Sequence, residues 1–353
     1  MAVYNFDRIN IFLVEDNPYI RNVLESLLRQ LKFANVYVAP NGAEAIEYFQ
    51  DLKRNRAFGE IDIILSDLVM TPLNGLLLLR WIRTAKESPN RFMPFVMLSG
   101  AADHEYVKAA RDLGVTEFMA KPFSVASVSR YLLQIIDRPR QFVATQKYFG
   151  PDRRRKSSPP ATGEQRVTED KDVSIVYSTE KVVKPKNPSE VWYFRLNNRL
   201  KEKVGGGAGA GEPGELPLDI LLEAEEQLER SVADFADWAR DYLKQLSKLC
   251  ENALSNAEGR VKVFEDINLL AHELRGQGGT FGYPLISQFG KSLYSSTREG
   301  CGKEDNDVEV VKAHIDSMRA VLREQVTGDG GEIGQALLSG LEAAIKRHST
   351  AED

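Results

Sequence analysis

Acidic, hydroxyl and basic side chains stand at the ends of short apolar runs in the first 125 residues. These polar residues are Glu15, Asp16, Asp67, Ser99 and Lys121. Parallel strands of one sheet bring their carboxyl ends to the same edge, where open α/β sheets bind ligands. Carboxylates, a hydroxyl and a cation are groups that hold a divalent metal ion and stabilise a phosphoryl group. The spacing therefore predicts a phosphoryl and divalent-metal site.

The alternative interpretation is structural, because a single aspartate after an apolar run is more often a helix cap than a functional residue. It applies to Asp67 taken alone, and to Glu15 and Asp16, which precede a helix start at Asn17-Pro18. Capping does not explain why four of the apolar runs end in complementary polar groups. The joint spacing favours function.

The elements that must position these residues alternate between strand and helix. Strands are predicted near 9–14, 35–39, 61–66, 94–98 and 115–119, and helices near 18–32, 41–54, 75–86, 103–113 and 124–137. Alternation at this spacing is typical of a doubly wound parallel sheet with helices on both faces.

Residues 6–138 resemble the receiver domain of bacterial two-component response regulators. The resemblance implies a flavodoxin-like fold with five parallel strands. It implies that Asp67 is a phosphoacceptor assisted by Lys121 and Ser99, and that Mg²⁺ is the cofactor. The implied metal ligands are Glu15, Asp16, Asp67 and the backbone carbonyl of Val69.

The resemblance also implies a switch in which Ser99 and the aromatic residue Phe118 respond to phosphorylation. Family members often have a cis peptide bond where this chain has Lys121-Pro122. Val69 and Ala101 are apolar where many receivers carry polar groups that orient the hydrolytic water. We therefore expect phospho-Asp67 to hydrolyse slowly; a half-life of seconds would contradict this.

Residues 139–215 lack helical periodicity and are predicted to form a basic, Gly- and Pro-rich linker. Alternation of apolar residues near 173–177 and 191–193 allows a pair of short strands there. The glycine-dense stretch 205–211 has no strand before it, so it does not match a phosphate-binding loop. The predicted domains are thus a receiver over 1–138, this linker, and a third region over 216–349.

The third region is predicted to be an all-α bundle. Apolar residues recur about every 3.5 positions from Leu218 to Ala253, which indicates one long helix or two in line. Further helices are predicted near 261–276, 284–297, 305–325 and 332–347, and no strand pattern interrupts them.

The chemistry of this region centres on His272. Arg275 follows one helical turn later, where it could bind a phosphoryl group on the imidazole. Gly276, Gly279 and Gly282 lie at four, seven and ten residues beyond it. Each glycine inside a helix costs about 1 kcal/mol relative to alanine, so we expect them to give clearance for a partner's acceptor site.

The motif around His272 resembles the histidine phosphotransfer domain, over about residues 218–325. Gln288 and Lys291 on the following helix are candidates to flank the imidazole, although an ordinary role is equally consistent with the sequence. A histidine kinase motif would continue with Thr-Pro, which is missing after Arg275. A zinc protease motif would need histidine at position 276, where the chain has glycine.

Charge and composition limit the partners. The net charge is −5, with 15 basic against 27 acidic residues over 204–353. An acidic C-terminal half argues against a DNA-binding output domain, because duplex binding requires neutralisation of phosphates. No run of 18 apolar residues occurs, so we expect a soluble cytoplasmic protein without a membrane partner. Two cysteines, Cys250 and Cys301, are too few for a disulfide scaffold.

Together these features predict a phosphorelay protein without an ATP-binding kinase domain. A sensor histidine kinase would phosphorylate Asp67, and His272 would exchange phosphate with the aspartate of this or a further response regulator. Apolar residues of the first helix (Pro18, Tyr19, Ile20, Val23) and Phe123 would offer a docking patch. The alternative is an interaction or homodimerisation module built on the helix over 218–256, in which His272 accepts no phosphate.

Overall fold

The computed structural model describes residues 2–54, 60–100, 104–153, 173–177, 185–205, 213–256, 258–301 and 303–349. Contacts divide the chain into two compact units. The first comprises residues 1–119 and 125–225, and the second comprises 120–124 and 226–353. No helix in the described part of the chain is long and apolar enough to cross a membrane.

After a short first strand that was not predicted, the elements up to residue 137 alternate between strand and helix as predicted. In chain order they are β1 Ala2–Val3, β2 Asn10–Val14, α1 Pro18–Gln30, β3 Asn35–Ala39, α2 Gly42–Arg54, β4 Ile63–Asp67, α3 Gly75–Thr84, β5 Phe95–Ser99, α4 His104–Leu113, β6 Glu117–Ala120 and α5 Val125–Asp137. Asp67 is the last residue of its strand rather than the residue that follows it.

The main sheet has the order β3-β2-β4-β5-β6. Strand β2 pairs in parallel with β3 and β4, and β4 pairs in parallel with β5. Every residue of β4 and β5 is buried, as expected for strands covered by helices on both faces. This confirms the predicted five-stranded flavodoxin-like fold.

The segment predicted to be a linker contains a second sheet within the first unit. Its strands are β7 Phe142–Ala144, β8 Phe149–Pro151, β9 Val173–Val176 and β10 Val191–Phe194, in the order β8-β7-β10-β9. The allowed strand pair exists, since β9 pairs in parallel with β10. The described residues here form ordered structure where we expected mainly a tether.

Aromatic packing explains this second sheet. Phe142, Phe149 and Phe194 surround Phe92, with ring centroids 5.0 to 5.2 Å from its ring. The strands are only three or four residues long, and Phe92 lies in the loop before β5. Burial of these rings against a distant loop stabilises the sheet, and periodicity within the segment cannot reveal that contact.

Arg83 of α3 is a buried cation beneath this sheet, with 1% of its surface exposed. Its guanidinium donates hydrogen bonds to the carbonyl oxygens of Gly114 (2.9 Å), Arg91 (2.8 Å) and Met93 (2.8 Å). Burial lowers the pKa of Arg83 to about 9. The three carbonyls compensate for the loss of hydration.

The chain continues with α6 Arg199–Lys203 and β11 Gly214–Glu215, which pairs in parallel with β1. Asp137 at the end of α5 accepts hydrogen bonds from the Tyr4 hydroxyl (2.5 Å) and the Gly214 N–H (3.0 Å). Burial and then the Asp137 contact raise the pKa of Tyr4 to about 12. This cluster attaches the N-terminal strand to the end of α5.

The remaining elements are all helices. They are α7 Leu218–Ser255, α8 Arg260–Gln277, α9 Pro284–Thr297, α10 Asp305–Arg323 and α11 Gly331–Ser349. Helix α7 is one continuous helix of 38 residues. Over residues 235–253 its buried stripe keeps the predicted spacing of about 3.5 residues and consists of Phe235, Ala239, Leu243, Leu246, Cys250 and Ala253. The C-terminal region is therefore mostly helical, as predicted.

Candidate functional site

Three carboxylates converge at the carboxyl edge of the main sheet. One carboxylate oxygen from each of Glu15, Asp16 and Asp67 lies within 4.8 Å of the others. Glu15 and Asp67 are completely buried, and Asp16 is half-buried. Adjacent strands β2 and β4 produce this convergence, because both end at the same edge.

The donor set fits a divalent cation. Carboxylate oxygens are hard ligands, and Mg²⁺ is commonly bound by one or two carboxylates together with water. Three carboxylates this close repel one another without a cation between them. Among the described residues, this trio is the one group of acidic, histidine or cysteine side chains with such spacing.

The other predicted residues of this edge follow neighbouring strands. Ser99 ends β5 and is 1% exposed, and Lys121 follows β6 and is 7% exposed. The Lys121–Pro122 peptide bond is cis, as expected. Phe118 is half-buried against the main core of the sheet.

The loop after Asp67 closes back on its own strand. The N–H of Gly75 donates to the carbonyl of Leu68 (3.0 Å), and Asn74 caps α3 by accepting from Leu77 N–H (3.0 Å). Val69, whose carbonyl is a predicted metal ligand, lies within this loop and is half-buried. Ala101, the other apolar residue expected to slow the hydrolysis of phospho-Asp67, lies outside the described residues.

The predicted docking patch on α1 is smaller than the sequence indicated. Ile20 and Val23 are buried in the core, with 0% and 6% exposure, because they lie on the inward stripe of the helix. Pro18 is exposed and Tyr19 is half-buried. Phe123 is also buried, at 3% exposure.

Sequence comparison identifies this part of the chain. A model of the response regulator receiver domain matches residues 11–132. Chemotaxis protein CheY-3 of Vibrio cholerae is 30% identical over 130 residues, which cover 37% of this chain and 93% of that protein. The chain belongs to the response regulator receiver family. The receiver domain occupies the sheet that carries the three carboxylates.

Solved structures similar to the receiver domain include two that differ in context. One is the receiver domain of a sensor histidine kinase from Pseudomonas aeruginosa PAO1 with a magnesium ion in its active-site cleft. Its sequence is 30% identical and its TM-score is 0.31, and the match covers 36% of this chain and 95% of that chain. Another is the complex of the Saccharomyces cerevisiae histidine phosphotransfer protein Ypd1 with the receiver domain of Ssk1, at 23% identity and a TM-score of 0.32, covering 38% and 90% of the two chains.

Beyond the receiver domain, His272 lies on α8 against an aromatic residue of α9. Its ring centroid is 5.7 Å from that of Tyr294, and the Arg275 guanidinium carbon lies 5.3 Å from the same ring. His272 is buried, with 5% of its surface exposed. Sequence reasoning missed Tyr294, and its position one turn beyond Gly290 on α9 was the available signal.

Asn268, one turn before His272, links α8 to α9 by hydrogen bonds. Its side-chain N–H groups donate to the Tyr294 carbonyl (2.8 Å) and the Thr297 hydroxyl (2.9 Å). Gln288 and Lys291, the candidates to flank the imidazole, are exposed on α9.

The three glycines beyond His272 do not all lie in its helix. Helix α8 ends at Gln277, so only Gly276 lies inside it. Gly279 donates its N–H to the Ser287 hydroxyl (2.8 Å), and Gly282 has φ +80°, which serves a turn. A close approach of α9 to α8 occurs at Gly290, where an added Cβ would lie 2.5 Å from the backbone nitrogen of Arg275.

Proposed function

We propose that this protein receives a phosphoryl group on Asp67 from the phosphohistidine of a sensor histidine kinase. The observation that carries the proposal is the convergence of three carboxylates within 4.8 Å at the carboxyl edge of a receiver-family sheet. Three carboxylates gathered in a largely buried site attract a divalent cation, because each oxygen contributes negative charge at short range.

In this reaction a carboxylate oxygen of Asp67 forms a bond to phosphorus while the bond between phosphorus and the donor imidazole nitrogen breaks. The electron pair leaves with the imidazole, which takes up a proton. Lys121 balances negative charge on the transferring group, and the Ser99 hydroxyl donates a hydrogen bond to it. Mg²⁺, when bound by Glu15, Asp16 and Asp67, supplies further positive charge beside the phosphoryl oxygens.

His272 is the candidate for a second transfer step. Arg275, on the same helix and half-buried, provides a cation beside it, and the partner would be the aspartate of this or of a further response regulator. A phosphoacceptor imidazole must be reached by an aspartyl phosphate. Since His272 is 5% exposed, this step requires a rearrangement that uncovers the ring.

The same burial favours a second candidate function, an interaction module switched by phosphorylation of Asp67. Here His272 is a packed residue against Tyr294, and the helical region binds a partner or a second copy of the chain. Leu218 and Leu222 on α7 are 71% and 51% exposed, which is consistent with a dimer through this helix.

Labelling with a radioactive small acyl-phosphate donor and Mg²⁺ tests these functions. We would compare wild type with Asp67→Asn and His272→Gln, and then treat the label with acid and with base. Label that is lost in base and absent from Asp67→Asn supports the receiver function. Acid-labile, base-stable label that requires both residues supports transfer to His272.

Absence of label on wild type would contradict the receiver function. Two results together would favour the interaction module. The label on Asp67 would be unaffected by His272→Gln, and His272 would take no label from other phosphorylated receiver domains added to the protein. Light scattering of the phosphorylated and unphosphorylated protein would then test dimerisation directly.

A further inference from the structure

The residues between β2 and α1 carry two of the three converging carboxylates. The N–H of Glu15 donates to the carbonyl of Ala39 (3.1 Å), which holds this end of the loop on the sheet. At the other end the Asn17 side chain accepts from the N–H groups of Tyr19 (3.0 Å) and Ile20 (3.2 Å). The peptide groups of Glu15 and Asp16 lie between these two anchors.

Arg21 contacts this intermediate part of the loop. Its Nη1 atom donates to the carbonyl oxygen of Glu15 at 2.8 Å and to that of Asp16 at 3.3 Å. The backbone N–H of Arg21 donates to the carbonyl of Asn17 (2.9 Å) in the first turn of α1. The half-buried Arg21 side chain thus links the backbone carbonyls of Glu15 and Asp16 to α1, whose inner face packs in the core.

We propose that Arg21 is a positioning residue for the cation-binding carboxylates. The proposal rests on the proposed function, in which Glu15 and Asp16 hold a divalent cation. The direction of a side chain follows from the backbone that carries it. By fixing two adjacent carbonyls, Arg21 restricts rotation of both peptide groups and orients both carboxylates before a cation binds.

The charge of Arg21 opposes this effect, because a guanidinium near the site repels a divalent cation. Arg21 is half-exposed, so water screens its charge. Hydrogen-bonded partners of metal ligands typically account for about 10- to 100-fold in metal affinity. We therefore expect the orienting effect to exceed the repulsion.

Calorimetric titration with MgCl₂ tests the proposal on the full chain. The variants are Arg21→Met, which removes the donor, and Arg21→Lys, which retains a charge and a shorter donor. Arg29→Met is the matched control, because Arg29 lies on the same helix and pairs with Glu25 at the surface (2.6 Å). Circular dichroism verifies that each variant is folded.

We expect Arg21→Met to weaken Mg²⁺ binding by about 10- to 100-fold, with partial recovery in Arg21→Lys and none of this loss in Arg29→Met. The Mg²⁺ concentration at half-maximal phosphorylation should rise by a similar factor, while the rate at saturating Mg²⁺ recovers most of the wild-type value. If Arg21→Met does not fold, Arg21→Lys becomes the test variant. Weaker Mg²⁺ binding by Arg21→Lys than by wild type then supports the proposal.

Unchanged or tighter Mg²⁺ binding in folded Arg21→Met would overturn the positioning role and leave the proposed function intact. Wild type that binds Mg²⁺ but accepts no phosphoryl group would contradict the proposed function, and the affinities of the variants would still decide the role of Arg21. Wild type that binds no Mg²⁺ would overturn both.

Discussion

Gly75, the first residue of α3, lies directly against the backbone of Asp67. A Cβ atom at Gly75 would lie 2.2 Å from the Asp67 carbonyl oxygen and 2.8 Å from the Met97 sulfur. The loop that follows Asp67 therefore returns to it with no room for a side chain. This contact makes the conformation of the strand end depend on a single glycine.

Replacement of Gly75 by alanine should damage both the fold and the site. The methyl group displaces the loop or the strand end, and overpacking of this kind costs about 1–3 kcal/mol. We expect a lower free energy of unfolding in urea and slower phosphorylation of Asp67. The control is Gly340→Ala, because Gly340 lies in α11 with no atom within 4 Å of its added Cβ; a Gly75→Ala protein as stable and active as this control would contradict the contact.

Close packing of α8 on α9 makes a second prediction. An added Cβ at Gly290 would lie 2.5 Å from the nitrogen and 2.9 Å from the Cα of Arg275. Gly290→Ala must separate the two helices, so we expect a loss of about 1–3 kcal/mol in the free energy of unfolding. Gly340→Ala should instead be neutral or gain up to about 1 kcal/mol. Equal stability of the two variants by chemical denaturation would refute the close approach.

Arg83 should be essential for attachment of the second sheet. Arg83→Met leaves three buried carbonyls without their donor, which costs about 1–3 kcal/mol for each unsatisfied group. The exposed Arg80 on the same helix provides the control, since Arg80→Met should change stability by less than about 0.5 kcal/mol. Hydrogen exchange at β7 and β10 would report the loss locally, and protection equal to that of Arg80→Met would argue against this role.

His314 should make stability depend on pH in the acidic range. This buried ring has Nδ1 2.7 Å from the Val310 carbonyl and Nε2 2.8 Å from the Ser292 hydroxyl. The carbonyl can only accept, so Nδ1 donates and Nε2 of the neutral ring accepts from Ser292. Burial lowers the pKa of His314 below its usual 6.5.

Because the pKa is lower in the folded than in the unfolded chain, the neutral ring contributes stability above pH 6.5 that is lost as the pH falls. The stability difference between wild type and His314→Gln should therefore shrink from about pH 7 to about pH 5. Urea denaturation monitored by circular dichroism measures this difference. A difference that stays constant or grows toward acid pH would contradict a lowered pKa of His314.

The receiver fold was predictable because its signals are local. Buried strands such as Ile63–Asp67 are short apolar runs with a polar residue at the end, and the amphipathic helices between them repeat with a regular period. The alternation indicates a parallel sheet, and the order of its strands came from the resemblance to the receiver family. Together they allowed the convergence of Glu15, Asp16 and Asp67 to be inferred without coordinates. The apolar stripe of α7 predicted helix over its whole length, but it allowed either one long helix or two in line, and the structure has one.

The second sheet and the surroundings of His272 depend on contacts between distant residues. Phe92 has no local signal that connects it with Phe194, which lies about a hundred positions later. Tyr294 reaches His272 only because Gly290 allows two helices to approach. The sequence alone does not distinguish a glycine that gives clearance from one that forms a turn after a helix. The positive φ of Gly282 shows that this glycine forms a turn.

Chemical identification of the modified residue would show whether Asp67 accepts the phosphoryl group. The protein would be treated with a small acyl-phosphate donor and Mg²⁺, reduced with borohydride, digested and mapped by mass spectrometry. Borohydride reduces an aspartyl phosphate to homoserine. We therefore expect homoserine at position 67 of the wild-type protein and none at that position in Asp67→Asn treated with the same donor. Homoserine at another carboxylate, or an unmodified Asp67 in folded protein saturated with Mg²⁺, would contradict this expectation.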